Sequence, residues 1–195
     1  VTGPSPARWR RQPNARHTRK PPDKERSRNC RKACDYIRVN PGPQDRGLNE
    51  MLPASTHLPL VLDTNVVLDW LVFRDPSSRP VEAAIRLGQV RWSVTAAMRL
   101  ETERVLTYKY FASHSVDRVA VFSTWEAFAE TIDPSPCLPP HPLRCTDPDD
   151  QKFIDLALHL GDCTLLSRDR AVLKLARRAR SLGLRIATPE AWAAA

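Results

Sequence analysis

Short apolar runs alternate with amphipathic stretches over residues 57–195. The first run, Leu-Val-Leu at residues 60–62, is typical of a strand buried on both faces of a parallel sheet. Later apolar runs predict three further strands, at residues 90–95, 163–167 and 184–188.

The segments between these strands have the 3.6-residue apolar spacing of amphipathic helices. Thr64 or Asn65 is expected to cap the first helix, Pro80 suits the first turn of the second, and Gly88 is expected to end that one. Further helices are predicted at residues 96–109, 116–132 with Ser115 as cap, 148–160, 170–182 and 189–192. Strands that alternate with helices predict a three-layer α/β/α sandwich around a mainly parallel sheet.

The chain changes in composition near residue 56. Residues 1–56 contain 13 Lys and Arg against 5 Asp and Glu, together with 8 of the 18 prolines, whereas residues 57–195 contain 17 of each charge. The first part has too few aliphatic residues to form a core, and we expect a disordered basic tail ahead of a single domain. Because the tail accounts for the whole net charge of +8, that charge does not indicate that the domain itself binds nucleic acid.

Three features concern the start of the chain and its compartment. Met51 stands shortly before the first strand, and we hypothesise that translation starts there, which the intact mass of the native protein tests. The five cysteines are odd in number and lack C-x-x-C pairs, so reduced thiols in a cytoplasmic protein are expected. No apolar run reaches the roughly 18 residues of a membrane span, so no membrane partner is expected.

Four acidic residues have unusual positions in this pattern. Asp63 and Asp169 each follow a predicted strand, while Glu101 and Asp150 fall on the inward side of their helices. Taken singly, each has an ordinary explanation, because the aspartates suit helix caps or first turns and Glu101 suits the border of the apolar face of its helix. A parallel sheet, however, would bring all four to one rim.

Carboxylates gathered in this way would repel one another unless a divalent cation neutralised them. Oxygen ligands without His or Cys partners select Mg²⁺ or Mn²⁺ over zinc. The sequence therefore predicts a metal site at the carboxyl ends of the strands, where parallel α/β sheets bind ligands.

Four motifs, in order along the chain, resemble the PIN domain nucleases. They are VLDTNVVLDW, MRLETERVL, CTDPDDQKFIDLAL and LLSRDRAVL, and the resemblance spans about residues 58–189. It is closest to the bacterial branch described as toxin components of toxin–antitoxin systems. The resemblance implies an acidic site of Asp63, Glu101, Asp150 and Asp169, supported by Thr64, Asn65 and Ser167.

This resemblance also implies a reaction, Mg²⁺- or Mn²⁺-dependent hydrolysis of RNA phosphodiester bonds, with Asp63, Asp150 and Asp169 as metal ligands. The expected partners are RNA and a cognate antitoxin protein, and a homodimer is a further expectation. Cations near the fourth motif suggest an RNA-binding face, although a solvated helix surface explains them equally well. These cations are Arg168, Arg170, Lys174, Arg177 and Arg178, followed by Arg180 and Arg185.

Two other functions fit parts of the sequence. A haloacid dehalogenase-like phosphatase also has an aspartate after the first strand, but it needs a second carboxylate two residues later, where this chain has Asn65. Alternatively, the domain is a catalytically silent binding module whose acids only cap helices. The three tryptophans at positions 70, 92 and 125 lie in apolar segments, which favours core packing over stacking on bases.

Overall fold

A computed structural model describes residues 57–112, 116–133 and 143–194 of the 195-residue chain. The predicted disordered tail, Met51 and the Ser115 cap lie outside these residues. No helix within the described residues is long and apolar enough to cross a membrane.

Five parallel strands form the central sheet in the order β3-β2-β1-β4-β5. The strands are β1 (Leu58–Leu62), β2 (Val90–Val94), β3 (Ala129–Thr131), β4 (Cys163–Leu166) and β5 (Leu184–Ala187). Register is set by pairs such as Leu60 with Trp92 in β2 and Leu60 with Thr164 in β4. The α/β fold with a parallel sheet is confirmed.

The helices cover the sheet and alternate with its strands. They are α1 (Thr64–Leu71), α2 (Arg79–Arg86), α3 (Ala96–Val105), α4 (Lys109–Ala112), α5 (Arg118–Phe128), α6 (Gln151–Leu160), α7 (Arg170–Leu173), α8 (Ala176–Ala179) and α9 (Pro189–Ala193). Short 3₁₀ turns at Pro76–Ser78, Pro148–Asp150 and Arg180–Leu182 lead into α2 and α6 and follow α8. Gly88 ends α2 as predicted, at a φ of 67° that glycine adopts without strain.

Three helix predictions were wrong in extent. The helix predicted over 116–132 begins at Arg118, where Asp117 caps it, and ends at Phe128, because the chain then forms the edge strand β3. The predicted helix over 96–109 ends at Val105, before the separate α4. The predicted helix over 170–182 is divided into α7, α8 and a 3₁₀ turn.

The core lies on both faces of the two central strands. Leu60, Val61 and Leu165 are almost completely buried, as expected of strands covered by helices on both sides. Trp92 forms edge-to-face contacts with Trp70 and Trp125, at centroid distances of 5.3 Å and 4.8 Å. All three rings are buried, which confirms the predicted core packing.

Strand order places the candidate acids at a special point of the sheet. From β1 the chain proceeds to β2 and β3 on one side, whereas β4 and β5 lie on the other side of β1. The connections after β1 and β4 therefore diverge, which leaves a crevice beyond the carboxyl ends of these neighbouring strands. Asp63 follows β1 directly, and Ser167 to Asp169 follow β4.

Candidate active site

Asp63 is a buried carboxylate held by hydrogen bonds from two predicted supporting residues. Its Oδ2 accepts from Asn65 Nδ2 at 2.7 Å and from Ser167 Oγ at 2.5 Å. Asp63 occupies the N-cap position of α1, yet its side chain makes no capping hydrogen bond, and its side chain is only 3 % exposed. Capping therefore does not explain why a carboxylate stands here.

Asn65 and Ser167 also tie the β1 end to the β4 end. Asn65 Oδ1 accepts from the backbone N–H of Arg168 at 3.2 Å, which fixes the amide so that its NH₂ points at Asp63. Ser167 Oγ accepts from the backbone N–H of Asp169 at 2.9 Å while it donates to Asp63. A continuous chain of hydrogen bonds thus connects Asp63 with the loop that carries Asp169.

Asp169 is also buried, but it caps the following helix. Its Oδ1 accepts from the backbone N–H groups of Ala171 at 2.5 Å and Val172 at 3.4 Å. Asp169 therefore does cap a helix, and the capping hydrogen bonds fix one of its carboxylate oxygens at the rim.

Asp150 is similar to Asp63 and differs from Asp169, because it is buried but does not cap a helix. It is buried at the N-cap position of α6 and makes no capping hydrogen bond, whereas the neighbouring Asp149 is exposed. Asp147, one turn earlier, performs the capping, since its side chain accepts from Asp149 N. Asp150 thus combines burial with a position at the start of a helix that packs on β1 and β4.

Two cysteine thiols lie in the described part of the domain. Burial raises the pKa of the Cys145 thiol, a backbone hydrogen bond with Asp147 lowers it, and the negative charges of Asp150, Asp169 and Asp147 raise it. Cys145 and Cys163 are free thiols, and burial raises the pKa of Cys163 to about 12.

Glu101 lies on α3 and contacts a cation that the sequence analysis did not consider. Its Oε2 is 2.6 Å from Lys152 Nζ on α6, two residues after Asp150. The Glu101 side chain is 17 % exposed, whereas Glu103 is 35 % exposed and pairs with Arg99 on the surface. Of the two glutamates, Glu101 is therefore the inward one, as the helical wheel predicted.

The donor chemistry of these residues fits a hard divalent cation. All four side chains offer carboxylate oxygen, and the adjacent Thr64 hydroxyl is buried without a hydrogen-bond partner among the described atoms, a state that usually marks a place for water or a ligand. As they are placed, no three His, Cys, Asp or Glu side chains within the described ranges form a ready-made metal site.

Arg168 turns away from the remaining cations of the predicted RNA-binding face. Its Nε donates to Asp69 Oδ2 at 2.6 Å, and its NH2 group lies 2.5 Å from Ser77 Oγ and 2.6 Å from Glu190 Oε1. Burial raises the pKa of Asp69 despite the hydrogen bond and charge of Arg168. The guanidinium therefore joins α1, the Pro76–Ser78 turn and α9.

Asp75 supports this arrangement and provides a pH-dependent prediction. Its carboxylate accepts from the Ser77 hydroxyl at 2.6 Å and the Ser77 backbone N–H at 2.8 Å, and these bonds hold its pKa below the ordinary 3.8. Asp75→Ala should lower the free energy of unfolding by about 1 kcal/mol at neutral pH. A depressed pKa stabilises the fold above 3.8, so this difference should shrink as pH falls below 3.8.

Denaturant unfolding of wild type and Asp75→Ala across this pH range measures the difference. Asp133→Ala, at an exposed aspartate, is the control and should match wild type throughout. A constant difference between Asp75→Ala and wild type at every pH would show that the carboxylate charge has no part in it.

Two comparisons with known proteins found a match. A family model described as PIN domain matches residues 59–171. A solved structure, the crystal structure of VapBC2 from Rickettsia felis bound to a DNA fragment from their promoter, is 13 % identical, with a TM-score of 0.46 over 67 % of this chain and 98 % of that one. No curated protein shows significant sequence similarity to this chain.

Proposed function

Because this chain belongs to the PIN domain family, we propose that it is a Mg²⁺- or Mn²⁺-dependent ribonuclease whose site is the crevice beyond β1 and β4. The observation that supports this most strongly is the pair Asp63 and Asp150. Asp63 is buried directly after β1, Asp150 is buried at the start of a helix that packs on β1 and β4, and neither caps its helix. Buried carboxylates at the end of a strand and the start of a helix are candidates for a functional role.

In this proposal Asp63, Asp150 and Asp169 hold the cation, and Glu101 completes the acidic site. The bound cation would lower the pKa of a water molecule and offset negative charge on the phosphate. Asn65 and Ser167 keep the Asp63 carboxylate in one orientation. Ser167, which accepts from the Asp169 backbone N–H and donates to Asp63, keeps the Asp169 loop beside Asp63.

The RNA backbone would run along the exposed cations of α7, α8 and the residues between these two helices. Arg170, Lys174, Arg177 and Arg178 are exposed there, next to the Asp169 loop. Arg168 is left out of this set, since its guanidinium contacts Asp69, Ser77 and Glu190. Binding through such cations should weaken as salt rises.

The phosphatase alternative lacks the second carboxylate that its mechanism needs. Asn65, which stands where that mechanism needs an acid, holds Asp63 and the Arg168 backbone. A toxin role, with a cognate antitoxin partner and a homodimeric state, is proposed only from the sequence motifs. Purification of the tagged protein from its native cells, followed by mass determination of the protein and of any chain that co-purifies, tests both associations.

The nuclease proposal predicts a metal-dependent RNA cleavage. Single-stranded RNA should be cut in the presence of Mg²⁺ or Mn²⁺, and an excess of EDTA should stop the reaction because the acids alone cannot neutralise the phosphate. Gel analysis of end-labelled RNA measures the cleavage. Mn²⁺ should also raise the melting temperature of the protein, since a ligand that binds the native state stabilises it.

Asp150→Asn is the matched variant, because it removes one proposed metal ligand. It should lose both RNA cleavage and the rise in melting temperature with Mn²⁺. Cleavage that persists in EDTA would contradict a metal mechanism. A wild-type protein with neither cleavage nor a Mn²⁺ shift would favour the silent binding module.

A further inference from the structure

Lys152 stands beside the acidic site, in the first turn of α6 and two residues after Asp150. Its ammonium lies 2.6 Å from Glu101 Oε2, donates to the Asp149 carbonyl oxygen and is 4.7 Å from the centre of the Phe153 ring. It therefore joins α3 to α6 through one of the four proposed site acids, Glu101.

The contact between Lys152 and Glu101 is an ion pair without hydrogen-bond alignment. Glu101 Oε2 is buried, and no donor within the described part of the chain is oriented to form a hydrogen bond with it, although the Lys152 ammonium is close. Charge attraction to Glu101 and the hydrogen bond to the Asp149 carbonyl oxygen thus hold this lysine. The Lys152 side chain is 26 % exposed and carries a flexible four-carbon stem, so the ammonium can reach other partners.

A nuclease site made of carboxylates must still admit a phosphate group. Four acids repel a polyanion, and a cation beside them would offset that repulsion. Lys152 is a cation in contact with one of these acids, Glu101, and an ammonium is a common phosphate ligand in proteins.

We propose that Lys152 binds the RNA phosphate at the site, and that Glu101 holds its ammonium there while no RNA is bound. This inference rests on the proposed ribonuclease function and adds a substrate contact to it. When RNA enters, the ammonium moves from Glu101 to a phosphate oxygen, and Glu101 is released to act with the other acids. Glu101 and RNA therefore compete for one cation.

RNA binding without cleavage tests this directly. Fluorescence anisotropy of a labelled single-stranded RNA, with EDTA present, gives the Kd at several salt concentrations. Lys152→Met should weaken binding about tenfold. It should also reduce the slope of log K against log salt by about 0.7, the value for one phosphate contact on a single strand. Lys152→Arg should keep most of the affinity.

Two further variants separate a substrate contact from a structural role. Glu101→Gln should tighten RNA binding because it frees the ammonium, and this gain should disappear when Lys152→Met is also present. Lys109→Met, the same change at an exposed lysine of α4, should match wild type.

Equal RNA affinity and salt slope in wild type and Lys152→Met, while wild type binds and cleaves RNA, would overturn the inference and leave the ribonuclease proposal intact. A wild-type protein that neither binds nor cleaves RNA would overturn both.

Discussion

Asp63→Asn should reduce RNA cleavage on the order of 100-fold or more, because even residues that only support a metal ligand contribute about 10- to 100-fold. Asparagine keeps the shape of the side chain and an oxygen that can accept from Asn65 and Ser167. It removes the negative charge that a divalent cation requires. The fold should therefore survive while cleavage and Mn²⁺ stabilisation are lost.

Single-turnover cleavage rates and thermal unfolding, measured on the same preparations, distinguish loss of chemistry from loss of fold. Asp162→Asn is the control, since it makes the same change at an exposed aspartate between α6 and β4. Cleavage at the wild-type rate by Asp63→Asn would remove this carboxylate from the reaction.

Arg168→Ala should lower the free energy of unfolding by about 3 kcal/mol, because it leaves the carboxylate of Asp69 buried without its cation. Burial already raises the pKa of Asp69, so the buried charge lowers the stability of the fold even with the arginine present. For a domain of this size the loss corresponds to a fall in Tm of about 10 °C. Denaturant and thermal unfolding measure it.

The double variant Asp69→Leu with Arg168→Met removes both charges and should recover much of the lost stability, as buried ion pairs often tolerate apolar replacement. Arg170→Ala, which removes an exposed arginine two positions along the chain, should leave the Tm unchanged. A wild-type Tm for Arg168→Ala would show that Asp69 does not need this partner.

The local pattern of apolar and polar residues was sufficient to predict most of the fold. The four strands predicted from apolar runs are all present, because strands buried on both faces must be apolar at nearly every position. Strand β3 was missed because it is a short edge strand of three residues, of which Glu130 and Thr131 are exposed, and it follows α5 without a turn residue. Its pairing with Trp92 depends on a residue 37 positions earlier in the chain.

The sequence predicted only those features of the site that are set within a single helix or strand. Helical wheels placed Glu101 and Asp150 inward correctly, since orientation on a helix follows from local periodicity. The Lys152 contact with Glu101 and the Arg168 contact with Asp69 join residues that are 51 and 99 positions apart, so spacing did not reveal them. The sequence did give one signal of the contact with Arg168. Asp69 is an acid within the apolar helix α1, and a buried acid requires a cation.

The position of bound Mn²⁺ tests the central claim most directly. Anomalous diffraction from crystals of the protein grown with MnCl₂ locates the ion without reference to activity. We predict a peak in the crevice beyond β1 and β4, coordinated by Asp63 and Asp150, and its absence from crystals of Asp63→Asn. A peak elsewhere on the molecule, with neither carboxylate among its ligands, would contradict the account.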